Sequence, residues 1–137
     1  MRWFVSLVVV LCACGADADH DHDEMPEIVN FTVDPGLVEA GAEAQVQVEV
    51  EHFDLGGGEH HTHEKGSASG HVHIYLNDTE SNPLLMMMGS MGTVTIPADT
   101  EVGVHALIAR LHDSGHLIIE PEVTAEVEID VFGAVIP

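Results

Sequence analysis

Positive charge is scarce in this sequence: 3 Lys and Arg face 24 Asp and Glu, which gives a formal net charge of −21 over 137 residues. Proteins that hold nucleic acid or anionic lipid headgroups electrostatically do so with Lys and Arg. We therefore expect no nucleic-acid partner, and cations are the natural ligands. Aromatic residues are also few, at 4%, so a core must be built from Val, Ile, Leu and Ala. The length suits a single domain.

The N-terminus has one basic residue, Arg2, then an apolar run too short to span a bilayer as a stable helix, then small residues. We interpret residues 1–13 as a signal peptide. Leu11-Cys12-Ala13-Cys14 resembles the lipobox of bacterial lipoproteins, whose last cysteine is acylated and becomes the mature N-terminus. The resemblance implies export, lipidation of Cys14 and membrane anchoring. Gly15, where inner-membrane lipoproteins tend to have Asp, favours the outer membrane. An ordinary cleaved signal or an N-terminal anchor helix is the alternative.

Cysteine is rare, with two residues in the chain, Cys12 and Cys14. If cleavage precedes Cys14, the one remaining thiol is lipidated. We then expect no intrachain disulfide, no copper–thiolate site and no cysteine nucleophile. No nucleophile and base pair is recognisable, so we expect a protein that is not an enzyme, although a metal with an open coordination position could hydrolyse or dismutate.

Residues 14–26 carry the lipidated Cys14 and an acidic, histidine-containing charge run, Gly15 to Glu24, that has no large apolar side chain to bury, which predicts a disordered tether. Its His20 and His22 could collect metal weakly, or the segment is a solvated spacer. Residues 27–137 then form the folded domain.

From Glu27 onwards, apolar and polar residues alternate with period two, which predicts half-buried antiparallel strands and no long helix. Seven short strands in about 110 residues indicate an all-β, two-sheet antiparallel sandwich of the immunoglobulin or fibronectin-III class. The predicted strands are Glu27 to Val33, Gln45 to Phe53, His71 to Asn77, Leu84 to Met88, Thr93 to Ile96, Val104 to His112 and Ala125 to Phe132.

Histidine is abundant, with 11 residues. In the third predicted strand, alternation places His71 and His73 on the face opposite Val72, with Cα atoms roughly 6 to 7 Å apart. In an immunoglobulin-like sandwich the sixth strand runs antiparallel beside the third, which brings His112 and His116 to the same end. We predict that these four histidines bind a metal ion. A structural role for Asp113 and His116 in a tight turn is the alternative.

Further candidate ligands surround the same end of the sandwich. Among them, His52 follows the core phase of Val50 and could cap the core instead, and the long glycine-rich connection after it is either mobile or organised by a ligand. The methionines could be hydrophobic filler. Imidazole suits Cu(II) and Zn(II) whereas thioether suits Cu(I), so we expect copper first and zinc second. The auxiliary set is His52, His60, His61, His63, Met86, Met88 and Met91.

Two resemblances bear on this region. Gly70-His71-Val72-His73, followed by Gly103-Val104-His105 and Asp113-Ser114-Gly115-His116, resembles a set of poorly characterised exported bacterial sandwich domains, which implies fold more than activity. His71-Val72-His73 is also similar to the copper-binding strand of copper-zinc superoxide dismutase. That enzyme family needs a bridging histidine soon afterwards and a disulfide, whereas no histidine lies between His73 and His105.

The sequence thus predicts an exported, lipid-anchored β-sandwich that binds copper, or else zinc, for sequestration or delivery. The alternative from a different class is a structural or adhesive immunoglobulin-like module of the cell envelope, whose histidines are incidental. Retention of one metal equivalent after dialysis separates the two hypotheses.

Overall fold

The computed structural model of the chain describes residues 25–56 and 68–133. Alternating sequences such as Ala44-Gln45-Val46-Gln47-Val48 become strands whose apolar side chains are buried and whose polar side chains are exposed. Within the described ranges every regular element is a strand. The strands are β1 (Glu27–Asp34), β2 (Leu37–Glu39), β3 (Glu43–Glu51), β4 (Phe53–Leu55), β5 (Ala68–Leu76), β6 (Leu85–Met87), β7 (Met91–Thr95), β8 (Gly103–Asp113) and β9 (Thr124–Phe132).

The strands form two sheets that pack as a sandwich. One has the order β1-β3-β7, and the other has the order β2-β9-β8-β5-β4 with β6 also paired to β5. The all-β sandwich expected from the sequence is confirmed. The first, second and fifth predicted strands share one sheet and the third, sixth and seventh share the other, as in the immunoglobulin fold.

The structure differs from the expected strand list in two places. Two short strands, β2 and β4, were not predicted, and both pair in parallel, with β9 and β5 respectively. The predicted strand Gln45 to Phe53 is interrupted at His52, whose φ of 56° lies in the left-handed region. That turn separates β3 from β4 and ends the alternation, because a residue with this backbone conformation cannot continue a strand.

The core lies between the two sheets and consists mainly of valine, isoleucine and leucine. In β5, Val72 and Ile74 are fully buried, and in β8, Leu107 and Leu111 are fully buried. The small sheet contributes Val46, Val48 and Val94. This packing fixes the faces of β5 and β8, so the side chains that alternate with these core residues point away from the core.

The outer face of β5 and β8 is also buried at one end. His112 forms an isolated bridge with Ile118, and the Leu111 amide donates to the Val123 carbonyl, so the chain after β8 folds back beside this strand. As a result His71, Tyr75, Arg110 and His112 are each less than 10% exposed, although none faces the core.

In the described part of the chain, no helix is long and apolar enough to cross a membrane.

Gly70 allows β5 and β8 to approach closely at this end. A Cβ atom built on Gly70 would collide with the carbonyl oxygen of His112 and would lie 2.8 Å from the Cα of Asp113. Glycine is therefore required immediately before His71, because any side chain would push the two strands apart.

Candidate metal centre

Two antiparallel strands position three of the candidate ligands. His71 lies opposite His112, and His73 lies opposite Arg110, in the register between β5 and β8. Directly opposed residues project to the same face of a sheet, so alternation along β5 and pairing with β8 bring these side chains together. The predicted adjacency of the third and sixth strands is confirmed.

A tight turn after β8 positions His116. The Asp113 carboxylate accepts hydrogen bonds from the amides of Gly115 and Leu117 at 2.8 and 2.9 Å, and the His116 amide donates to the Asp113 carbonyl at 3.0 Å. His116 itself has a φ of 64°. Asp113 therefore has the structural role that the sequence left open, and the turn it stabilises presents the exposed His116 imidazole to the cluster.

Neighbouring imidazoles of the cluster lie close together, and the other pairs, His71 with His112 and His73 with His116, have ring centroids 6.1 Å apart. Ring centroids are 4.9 Å apart for His71 and His73, 4.5 Å for His71 and His116, and 3.8 Å for His73 and His112. One ring nitrogen from each of His71, His73 and His116 lies within 4.8 Å of the other two. We call these three residues the histidine triad.

The triad has unsatisfied nitrogens. The Nε2 atoms of His71 and His73 are buried and have no hydrogen-bond partner. A buried polar atom without a partner costs roughly 1 to 3 kcal/mol, and two side by side call for an explanation. A bound cation would supply both nitrogens with a partner at once.

The triad geometry suits a transition metal after a small contraction. Metal–imidazole bonds of about 2.0 Å place ligand nitrogens about 3.3 to 3.5 Å apart, which is roughly 1.4 Å closer than the 4.8 Å limit of the triad. His116 is exposed and lies on a turn, so it can move inward, whereas His71 is held on the paired strands.

His112 lies in the cluster but its two ring nitrogens are engaged. Its Nδ1 lies 3.3 Å from the carbonyl oxygen of His116, which can only accept, so Nδ1 carries the proton. Its Nε2 accepts from Arg110 Nε at 3.2 Å. His112 is thus arranged to support the turn and Arg110, and it is not among the three residues whose nitrogens converge.

Tyr75 and Arg110 connect the triad to His112, and sequence reasoning did not assign them a role. The Tyr75 hydroxyl lies 3.2 Å from both His73 Nδ1 and His112 Nε2, and it accepts from Arg110 Nη2 at 2.9 Å. The Arg110 guanidinium also lies 4.9 Å from the centre of the Tyr75 ring. Both residues share the non-core phase of the histidines, which is the signal that could have identified them.

The surroundings keep the buried imidazoles neutral. Burial, followed by the neighbouring His112, lowers the pKa of His73 to about 4. Burial, followed by His116, lowers the pKa of His71, and burial lowers that of His112 against a hydrogen bond to His116 that raises it. A neutral imidazole has a free lone pair, so these histidines are in the form that binds metals at neutral pH.

The auxiliary candidates are distributed more widely than expected. His52 is exposed at the turn between β3 and β4, so the prediction that its side chain follows the core phase of the strand is wrong. Met86 pairs with His73 across β5 and β6, and Met88 follows β6 and is 52% exposed. Met91 pairs with Gln47 on the exposed face of the smaller sheet, away from the triad. Cys14, His60, His61 and His63 lie outside the described residues.

Comparison of the chain with models of known protein families found no family that matches, and comparison with curated proteins found no related sequence.

Proposed function

We propose that the protein binds one transition-metal ion at the histidine triad, with copper preferred over zinc. Two observations carry this proposal: the Nε2 atoms of His71 and His73 are buried and unpartnered, and one ring nitrogen from each of these residues and from His116 lies within 4.8 Å of the others. Imidazole nitrogen is a good ligand for both metals, and Cu(II) stands above Zn(II) in the general order of affinities for nitrogen sites.

The location we propose follows from the N-terminal sequence. Cleavage before Cys14 and lipidation of that residue would anchor the domain to a membrane outside the cytoplasm, with outer-membrane anchoring favoured by Gly15. An acidic tether would then hold the sandwich away from the bilayer. We propose that such a protein sequesters the metal or delivers it to another protein, rather than using it for catalysis.

A competition titration tests the proposal. The full chain is titrated with Cu(II) and with Zn(II) against chelators of known affinity, beside a His71→Ala/His73→Ala double variant. We expect one tight equivalent in the parent chain, and a loss of at least a hundredfold in affinity in the double variant with an unchanged circular dichroism spectrum.

A matched control uses a histidine of the neighbouring strand, far from the triad. His105 lies on β8 about seven residues, or roughly 23 Å, before His112, and bonds Asn77 and the Glu101 carbonyl. His105→Ala should leave the tight equivalent in place. Tight binding that survives in the double variant would refute the site. Weak binding of several ions by all three chains would favour a structural or adhesive envelope module instead.

A further inference from the structure

The side chains of the histidine triad carry no negative charge to attract a divalent ion. Its three ligands are uncharged imidazoles, and the carboxylate that acts on His71, Asp113, is not among them and is bonded to the Gly115 and Leu117 amides through Oδ1. A positive charge lies beside the triad, because Arg110 is opposite His73 in the strand register and is 8% exposed. The triad therefore combines neutral ligands with a buried cation.

Arg110 is only partly neutralised. Its ion-pair partner is Glu122, with Nη1 and Oε1 separated by 3.5 Å and the carboxylate side chain 51% exposed. Its shorter contacts are with neutral groups, the Tyr75 hydroxyl at 2.9 Å and His112 Nε2 at 3.2 Å. The charge is thus held two hydrogen bonds from the His73 imidazole, through the Tyr75 hydroxyl.

Met86 brings a soft ligand to the same face. It pairs with His73 in the register between β5 and β6, so both side chains project to the same side of the sheet, and it is 47% exposed. Its neighbour Met87 points into the core and is 3% exposed, as strand alternation requires. Cβ atoms of directly opposed residues lie about 4.5 to 5.5 Å apart, within reach of a thioether.

We propose that the histidine triad takes up copper as Cu(I), with the Met86 thioether as an additional ligand and the Arg110 charge disfavouring divalent ions. This inference rests on the proposed function and specifies the oxidation state of its ligand. Thioether sulfur selects Cu(I), whereas Zn(II) gains little from it. A nearby positive charge repels Cu(II) and Zn(II) by one unit of charge more than it repels Cu(I).

The size of the charge effect follows from the distances. Two hydrogen bonds and an imidazole ring place the guanidinium about 8 Å from a metal on His73 Nε2. At an effective dielectric constant of about 20, one unit of charge at that distance changes a binding constant about 30-fold. Glu122 and solvent screen part of the Arg110 charge, so we expect the binding constant to change about tenfold.

The experiment measures Cu(I) binding of the full chain without oxygen, in competition with bicinchoninate, and Cu(II) and Zn(II) binding in competition with nitrilotriacetate. Arg110→Gln should raise the Cu(II) and Zn(II) affinities about tenfold relative to that for Cu(I). Arg110→Lys retains the charge, so it should retain the parent's ratio. If both variants change the ratio equally, the effect is one of geometry and the charge argument is overturned.

The thioether is tested separately. Met86→Leu should weaken Cu(I) at least tenfold and leave Zn(II) within twofold, while Met91→Leu, on the exposed face of the other sheet, should change neither. Equal losses for both metals, or none in Met86→Leu, would overturn the assignment of Met86. If the parent chain binds Zn(II) or Cu(II) tightly at the triad but binds Cu(I) no better, this inference fails and the proposed function stands. If no metal binds there, both fail.

Discussion

Tyr75→Phe removes one oxygen atom from the structure and, with it, the hydrogen bonds that link the triad to its support. Tyr75 is 3% exposed, and its hydroxyl lies 3.2 Å from His73 Nδ1, 3.2 Å from His112 Nε2 and 2.9 Å from Arg110 Nη2. For a metal to bind His73 Nε2, the proton must be on Nδ1, where the Tyr75 oxygen accepts it. The hydroxyl therefore holds the orientation of a metal ligand and, by accepting the Nδ1 proton, stabilises the tautomer that leaves Nε2 free for a metal.

The magnitudes follow from these contacts. Loss of such a partner to a metal-bound histidine typically lowers metal affinity 10- to 100-fold. Without metal, the variant leaves polar groups of His73 and Arg110 unpaired, at a cost of roughly 1 to 3 kcal/mol. For the roughly 100 residues that the structure describes, the entropy of unfolding is about 0.21 kcal/mol/K, so a loss of about 2 kcal/mol lowers Tm by about 10 °C.

Two measurements on the same variant check this prediction: calorimetric Tm of the metal-free chain and metal affinity by chelator competition. If Tyr75 were only a packing residue, phenylalanine would fill the same volume and the metal affinity would remain that of the parent. Unchanged affinity together with an unchanged Tm would refute the argued link between Tyr75 and His73.

Two further predictions concern strand approach and pH. Gly70→Ala should destabilise the fold by about 1 to 3 kcal/mol and weaken metal binding, because its Cβ collides with His112, whereas Gly89→Ala, with no atom within 4 Å, should be near neutral in urea unfolding. Because the pKa of His73 is lowered to about 4, the unfolded chain binds more protons between that value and the ordinary 6.5. Metal-free stability should therefore rise with pH in this window, by about 1 kcal/mol after allowance for solvent screening. His73→Gln should reduce the slope of stability against pH. An identical slope in both chains would contradict its assignment to His73.

Alternation in the sequence was enough to predict the central strands and their faces. Val72 and Ile74 are buried between the sheets and His71 and His73 project from the other side, because the core face of a strand leaves a clear period of two. The adjacency of His71 and His112 followed from the strand order of the sandwich class. These two inferences already located the histidine cluster.

Other features depend on tertiary contacts that leave no periodic hydrophobic pattern in the sequence. Strands of three residues, such as β2 and β4, are too short to show alternation, and their parallel pairing depends on which edge is free. His52 continues the apparent phase of β3 in the sequence, but its left-handed conformation turns the chain. The pairing of β6 with β5 separates Met86 from Met91, which the sequence grouped together.

The burial of the cluster was also beyond sequence reasoning. Tyr75 and Arg110 look like ordinary outward residues of amphipathic strands, and only the return of the chain after β8 encloses them. Arg110 is nevertheless the single Lys or Arg among the described residues, so a buried position for it means that its charge has specific partners.

The histidine triad is tested most directly by a crystal structure of the copper-loaded chain with anomalous scattering recorded at the copper edge. Our account predicts one strong peak about 2.0 Å from the Nε2 atoms of His71 and His73, with His116 moved inward to complete the triad. A strong peak held by other residues, with His71 and His73 in their metal-free positions, would contradict it.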